Sequence, residues 1–205
     1  NFTLLSKDAL ALSQADLDEA FGDAARGPAA PNKFIANLPY AVAATLVLDF
    51  FQRFSSLQSA TVMVQSEVAD RMMAKMGTKD YGAYTVKLNL IAKPTGRFQV
   101  APGSFFPPPR VTSAVIRLDR RDDLGITGEE AAVASRMADA AFATRRKTIA
   151  NSMRTYFSGR KGCDGAVEKL PAVLESAGID SRRRGESLTL EEFIALGRAY
   201  SSIVG

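Results

Sequence analysis

The feature that most constrains the fold is the alternation of short apolar runs with one long apolar run between residues 33 and 76. Residues 33–37, centred on Phe34-Ile35-Ala36, read as a short buried strand. Residues 41–54 are apolar on all sides with few charges, which predicts a buried helix packed on a sheet. Residues 60–64 form another strand, apolar enough to be buried on both faces as parallel strands are. Residues 67–76 then read as a helix ending near Gly77. Upstream, residues 2–6 read as a strand closed by Asp8-Ala9-Leu10, residues 15–25 are weakly helical, and residues 27–31 are a loop. Strand, helix, strand, helix, strand predicts a doubly wound α/β layer.

The pattern then changes. Residues 82–91 read as a helix, with a strand left open by their Val and Thr content. Residues 97–100 and 111–118 read as strands flanking a Pro-rich segment, 102–109. Val111, Ser113, Val115 and Arg117 alternate with Thr112, Ala114, Ile116 and Leu118, which suits an antiparallel ribbon on the sheet edge. After Arg120-Arg121-Asp122-Asp123 the chain is helical, so the expected domains are residues 1–122 and 123–205. Thr127 with Glu130, and Thr189 with Glu192, are spaced as capping boxes, predicting helices to about Phe142 and about Tyr200. Between them, residues 148–157 form one helix, and another starts with Pro171 at its first position and ends before Gly178.

Composition narrows the chemistry. One cysteine, Cys163, excludes an intrachain disulfide and a cysteine metal cluster, and no histidine is present for a Ser-His triad or most zinc sites. No apolar stretch reaches the length of a membrane helix, and the start lacks the basic region of a secretory signal, so the cytoplasm is the expected compartment. The net charge of +4 is concentrated. Arg145, Arg146, Lys147, Arg154, Arg160 and Lys161 fall in one acid-free stretch, and Arg182-Arg183-Arg184 follows. Such runs are either solvated helix faces or a surface for a polyanion; the lack of interleaved acids favours the latter.

Asn37-Leu38-Pro39-Tyr40 follows the first buried strand. It delivers an amide, two exposed carbonyls and an aromatic ring to one point, unless it is only a strand ending in a Pro turn. The Asn37 amide oxygen and the Leu38 carbonyl can accept the two hydrogens of a nucleobase amine. Pro39 stiffens the turn, and Tyr40 offers a face on which a base can stack, worth about 1–3 kcal/mol.

Three segments in this order resemble the small-subunit ribosomal RNA adenine dimethyltransferases. They are Asn37-Leu38-Pro39-Tyr40, then Phe105-Phe106-Pro107-Pro108-Pro109-Arg110-Val111-Thr112-Ser113-Ala114-Val115, then Arg145-Arg146-Lys147-Thr148-Ile149 with Asn151-Ser152. Residues 64–71 and Arg184-Gly185-Glu186-Ser187-Leu188 are similar to that family too. The resemblance implies a partial doubly wound, Rossmann-like methyltransferase sheet followed by a small all-helical, RNA-binding domain. It implies S-adenosylmethionine-dependent dimethylation of the amines of two adjacent adenosines during ribosome biogenesis, by a monomer acting on small-subunit RNA without a metal. The catalytic set would be Asn37, Leu38, Pro39, Tyr40 and Phe105, with Tyr40 and Phe105 stacking on opposite faces of the adenine. Phe106 is the better candidate for a core aromatic. Asp8, Ala9 and Asn37 would hold the cofactor, although Asp8 by itself reads as a helix cap or turn residue. Arg110, Arg145, Arg146, Lys147 and Arg154 would contact RNA.

One departure stands out. The Gly-rich loop and the acidic strand end that such enzymes carry near their start are not in this sequence, whose first residues look like the family's third strand. That would leave residues 2–6 across a gap of about 10 Å from their sheet neighbours. The expectation is therefore an N-terminally truncated enzyme, inactive and without productive cofactor binding if it is the whole molecule. Two other readings stay open: the related large-subunit adenine methyltransferases of macrolide resistance, and an RNA-docking module without catalysis.

Overall fold

The computed structural model describes residues 2–26, 30–163 and 165–205. Most of the loop expected at residues 27–31 lies outside them. The chain divides into two compact units, one of Asn1–Ala69 with Ile91–Arg120 and one of Asp70–Leu90 with Arg121–Gly205.

The first unit is built on a mixed sheet of β1 (Lys33–Asn37), β2 (Ser59–Gln65), β3 (Ala92–Val100) and β4 (Ser113–Arg120), in the order β1-β2-β4-β3. β1 and β2 are parallel; β4 runs antiparallel to both β2 and β3, with β3 at the edge. Helices α1 (Gln14–Phe21) and α2 (Ala43–Arg53) belong to this unit, and α3 (Ser66–Met72) follows β2. Register puts Phe34, Ala60 and Leu118 in one row and Ala36, Val62 and Ile116 in the next. In these rows the β2 and β4 side chains are fully buried. α2 covers this face: the Phe50 ring meets Phe34 at 4.7 Å. Arg120, at the end of β4, donates to the Phe51, Phe54 and Leu57 carbonyls and lies over the Phe51 ring. One guanidinium thus satisfies carbonyls at and beyond the end of α2 that have no helical partner.

Three expectations differ in this unit. Residues 2–6 carry no strand; Phe2 and Leu4 are 86% and 76% exposed. A strand without a ladder partner has no reason to persist, whatever its side-chain pattern. β2 is buried on one face only, its alternate residues being half-exposed. α3 also ends at Met72, short of the expected Met76.

The second unit contains α4 (Ala83–Asn89), α5 (Gly128–Phe142), α6 (Ile149–Phe157), α7 (Ala166–Ser176) and α8 (Leu190–Ile203). Both capping boxes form, at Thr127/Glu130 and Thr189/Glu192. α5 and α8 approach closely at Gly197, where an added Cβ would lie 3.0 Å from the Ala134 nitrogen. Phe157 stacks on Tyr200 at 5.3 Å, and Phe142 on Phe193 at 6.1 Å. Residues 82–91 resolve as helix α4, tied to α5 by Lys87 and Asp139 at 2.9 Å. The Tyr81 hydroxyl donates to the Leu188 carbonyl at 2.9 Å, and burial pushes its pKa up to about 12.

Pro171 is not the first residue of its helix; α7 starts at Ala166 and carries Pro171 inside. A proline there removes a helical bond and costs about 3 kcal/mol. Burial of Ala166, Leu170, Val173 and Leu174, an i, i+4, i+7, i+8 stripe, offsets that loss.

Candidate nucleobase site and basic surface

The ladder of β1 and β2 extends one residue past Asn37, because the Leu38 N–H donates to the Met63 carbonyl at 3.1 Å. This bond buries the Leu38 side chain and leaves Asn37 exposed at the strand tip. The Pro39 carbonyl accepts from both Val42 and Ala43, at 3.1 Å each, and so starts α2. Of the two carbonyls expected at this turn, that of Pro39 is therefore committed to the helix. The Asn37 amide and the Leu38 carbonyl are the groups left to meet an amine.

Tyr40 is half-buried, and its hydroxyl shares a 2.9 Å hydrogen bond with Ser113 Oγ. Ser113 is 1% exposed and lies on β4, opposite Gln65 of β2 and Val100 of β3. The ring is thus fixed to the sheet at a point two strands from its own. Sequence reasoning gave Ser113 no role. The signal was present: a hydroxyl at a buried strand position needs a polar partner.

Across the opening, the short helical turn Pro102–Ser104 aims the chain at Phe105, whose N–H donates to the Pro102 carbonyl at 3.2 Å. Asn37, Leu38, Pro39, Tyr40 and Phe105 line one cavity of about 430 Å³, together with Phe106, Pro107 and Pro109. All five residues expected to act on the base are brought together. Phe106 departs from the expectation of a core aromatic, being 100% exposed. Phe105 has extended backbone dihedrals, and successive side chains on extended backbone point to opposite sides. The half-buried Phe105 side chain therefore leaves its neighbour facing out.

Asp8 and Ala9 do not line this cavity. Asp8 caps the short turn Ala9–Ala11, accepting the Leu10 N–H at 3.0 Å. Arg53 binds the Leu10 and Leu12 carbonyls to the C-terminal end of α2, whereas Asn37 and Tyr40 stand at its N-terminal end. About 15 Å of helix separates the two ends. The groups assigned to the cofactor are not gathered into one cradle, whereas those assigned to the base are.

In the second unit, Arg145, Arg146 and Lys147 form the exposed turn between α5 and α6. Ile149 N–H donates to the Arg183 carbonyl at 2.7 Å, and Ala150 N–H to that of Ser181 at 3.4 Å. These bonds bring the two basic runs, far apart in sequence, side by side. Acids reach into both, Asp180 and Glu186 from the flanks of the second run and Glu192 from α8. Arg145 pairs with Glu186 at 3.3 Å and donates to the Lys79 carbonyl. Arg182 pairs with Asp180, holding that carboxyl down at about 2, and Arg183 pairs with Glu192. Arg154 donates to the Asn151 side chain at 3.1 Å. Arg146 and Lys147 are exposed, as is Arg110 in the first unit.

The sheet and the helices that cover it make a Rossmann-like architecture. A dimethyladenosine transferase from Plasmodium falciparum matches with a TM-score of 0.70 at 22% identity, covering 83% of this chain and 67% of that one. The 23S rRNA methyltransferase ErmE matches at 0.59 and 18% identity, over 96% of this chain and 71% of that one. The family model described as ribosomal RNA adenine dimethylase matches residues 1–196, and the chain belongs to that family. The ribosomal RNA small subunit methyltransferase A of Desulfitobacterium hafniense is 37% identical over 196 residues, 96% of this chain and 65% of that protein. The protein of the same name from Streptomyces griseus is 43% identical over 170 residues, 83% of this chain and 56% of that protein. The chain thus spans just under two thirds of the length of the first of these relatives.

Proposed function

We propose that the protein holds an adenosine of small-subunit ribosomal RNA for dimethylation of its exocyclic amine, with S-adenosylmethionine as methyl donor. One observation carries this reading: Asn37, Leu38, Tyr40 and Phe105 line a single cavity although they come from the two separate stretches of the first unit's sequence. An adenine amine is a weak nucleophile because its lone pair is delocalised into the ring. The Asn37 amide oxygen and the Leu38 carbonyl take its two hydrogens, which favours a pyramidal nitrogen with a directed lone pair. The same two oxygens then face the positive charge that develops on that nitrogen. Tyr40, oriented by Ser113, stacks on the base, and Phe105 closes the other side. Holding the amine in line is worth up to about 7–11 kcal/mol of barrier. The base must first leave its stack, at a cost of a few kcal/mol.

The donor S-adenosylmethionine supplies an electrophilic methyl group. Asp8 and Ala9, bound up at the far end of α2, do not fit a donor cradle with Asn37 as they stand. The exposed cations of the second unit contact phosphates and position the RNA without reading sequence. The same proposal includes two adjacent target adenosines, a monomer, and a cytoplasmic place in ribosome biogenesis. Among the described residues, no helix is long and apolar enough to cross a membrane. The relatives named for the small subunit favour that RNA over the large-subunit one.

The test is Asn37→Ala in a complete enzyme, assayed by methyl incorporation into purified small and large ribosomal subunits and by RNA binding. The expected result is loss of incorporation into the small subunit with RNA affinity near that of the parent. Retained turnover, or incorporation confined to the large subunit, would overturn the reading.

A further inference from the structure

We infer that Phe106 is a second stacking platform, which takes the nucleobase adjacent to the one held between Tyr40 and Phe105. This deepens the proposed function and rests on it. Phe106 borders the cavity and is 100% exposed, so it stabilises nothing in the chain itself. Of the large apolar side chains exposed among the described residues, it is the one most open to water, and it stands at the mouth of the candidate site. The flanking chain is stiff. Phe105 N–H is bonded to Pro102, and Pro107, Pro108 and Pro109 each fix φ, so the ring rides on a backbone with few conformations to lose. Both rings border the cavity, Phe105 half-buried and Phe106 fully exposed, so one ring lies in the pocket and the other is open to a neighbouring base.

The chemistry selects the occupant. An aromatic side chain that is exposed, rigidly carried and not charged matches the face of an unpaired base, which is sequence-tolerant in its stacking. Extruding one base leaves its neighbour without a stacking partner on one side. An apolar wedge beside the pocket fills that gap. Arg110, exposed at the end of the proline run, is placed for the phosphate that joins successive nucleotides.

The experiment uses a short RNA loop with two adjacent adenosines, in which 2-aminopurine replaces either one, so that stacking is read by fluorescence quenching. The variants are Phe106→Ala, Phe106→Trp and Tyr40→Ala. The expected result is that Phe106→Ala abolishes quenching of one probe position and spares the other, that Tyr40→Ala does the reverse, and that Phe106→Trp restores the first. The RNA dissociation constant should rise about 5- to 150-fold in Phe106→Ala, the range that one lost stacking contact implies. An unchanged melting temperature will show that the variant folds. If Tyr40→Ala alters one probe while Phe106→Ala alters neither, the inference fails and the proposed function stands. If neither probe responds to the protein, both fall.

Discussion

A buried hydroxyl helps to hold the turn that carries Arg145, Arg146 and Lys147, and removing it tests how the basic surface is built. Ser152 is 0% exposed. Its Oγ accepts the Thr144 N–H at 2.9 Å and donates to the Ala140 carbonyl at 2.8 Å. In an uninterrupted helix that N–H and that carbonyl, four residues apart, would bond directly. The hydroxyl is inserted between them, so α5 ends at Phe142 and the chain turns out with three cations on it. Ser152→Ala removes two hydrogen bonds worth about 1 kcal/mol each and strands a buried donor and acceptor, at about 1–3 kcal/mol per group left unmade. A loss of about 2–3 kcal/mol is expected, near the low end because direct closure of the Thr144–Ala140 bond recovers part of it. Urea unfolding followed by circular dichroism should show an earlier midpoint with an unchanged slope. Direct closure would also extend α5 and swing the turn, so the salt dependence of RNA binding should change as well. A stability change under about 0.5 kcal/mol, the level of an ordinary surface substitution, with unaltered RNA binding would refute the insertion argument.

Other consequences can be checked on the same protein. Arg146→Glu with Lys147→Glu should weaken RNA binding and reduce the slope of log K against log salt by about 1.4–1.8, two phosphate contacts' worth, without loss of stability; an unchanged slope returns both to solvent. Arg145→Glu should lower stability as well, since it sets a second acid against Glu186, and thermal melting will show whether it does. Ser113→Ala and Tyr40→Phe should each cost about 1 kcal/mol, with a double-mutant coupling of similar size read from methyl transfer; strict additivity would deny the hydrogen bond a part in orienting the ring. Glu192 accepts from Arg183 and from the Thr189 N–H, which hold its carboxyl below the usual range of about 4.5. A depressed folded pKa gives stability that is present above the unfolded value and lost as pH falls through the folded one. Glu192→Gln should therefore lower stability near neutrality and flatten its decline below about pH 4.5, as denaturant midpoints across that range will report.

What could be read from the sequence was what depends on neighbours in the chain. Both capping boxes, the strand parity of residues 113–118 and the stiff turn at Pro39 follow from spacing alone, and they form as spacing dictates. Residues 2–6 and Pro171 failed for a common reason. A strand exists only where another strand accepts its hydrogen bonds, and a helix start is set by the whole buried stripe rather than by its most familiar punctuation. Neither condition is visible locally.

The same distinction explains the site. Asn37 and Pro39 stand out by residue type and backbone geometry, and Phe105 by its place in a segment that resembles a known family. Ser113 and Glu186 do not, because each acquires its role from a partner 41 or more residues away: Ser113 from Tyr40, Glu186 from Arg145. The Glu186 pairing shows why this matters for reading charge. Arg145 to Lys161 holds no acid, which favoured a free polyanion surface. Folding brings Glu186, Asp180 and Glu192 against its neighbours, leaving four of the six arginines and lysines at residues 145–147 and 182–184 engaged in ion pairs at 3.9 Å or less. An exposed ion pair is weak, at about 0–1 kcal/mol, so a phosphate can compete for Arg182. Arg183 is different: it also donates to Ser187, and Glu192 in turn caps α8. Releasing it would loosen a helix end. The cations that can move to RNA at least cost are therefore Arg146 and Lys147, and charge density along the sequence could not have separated them from the rest.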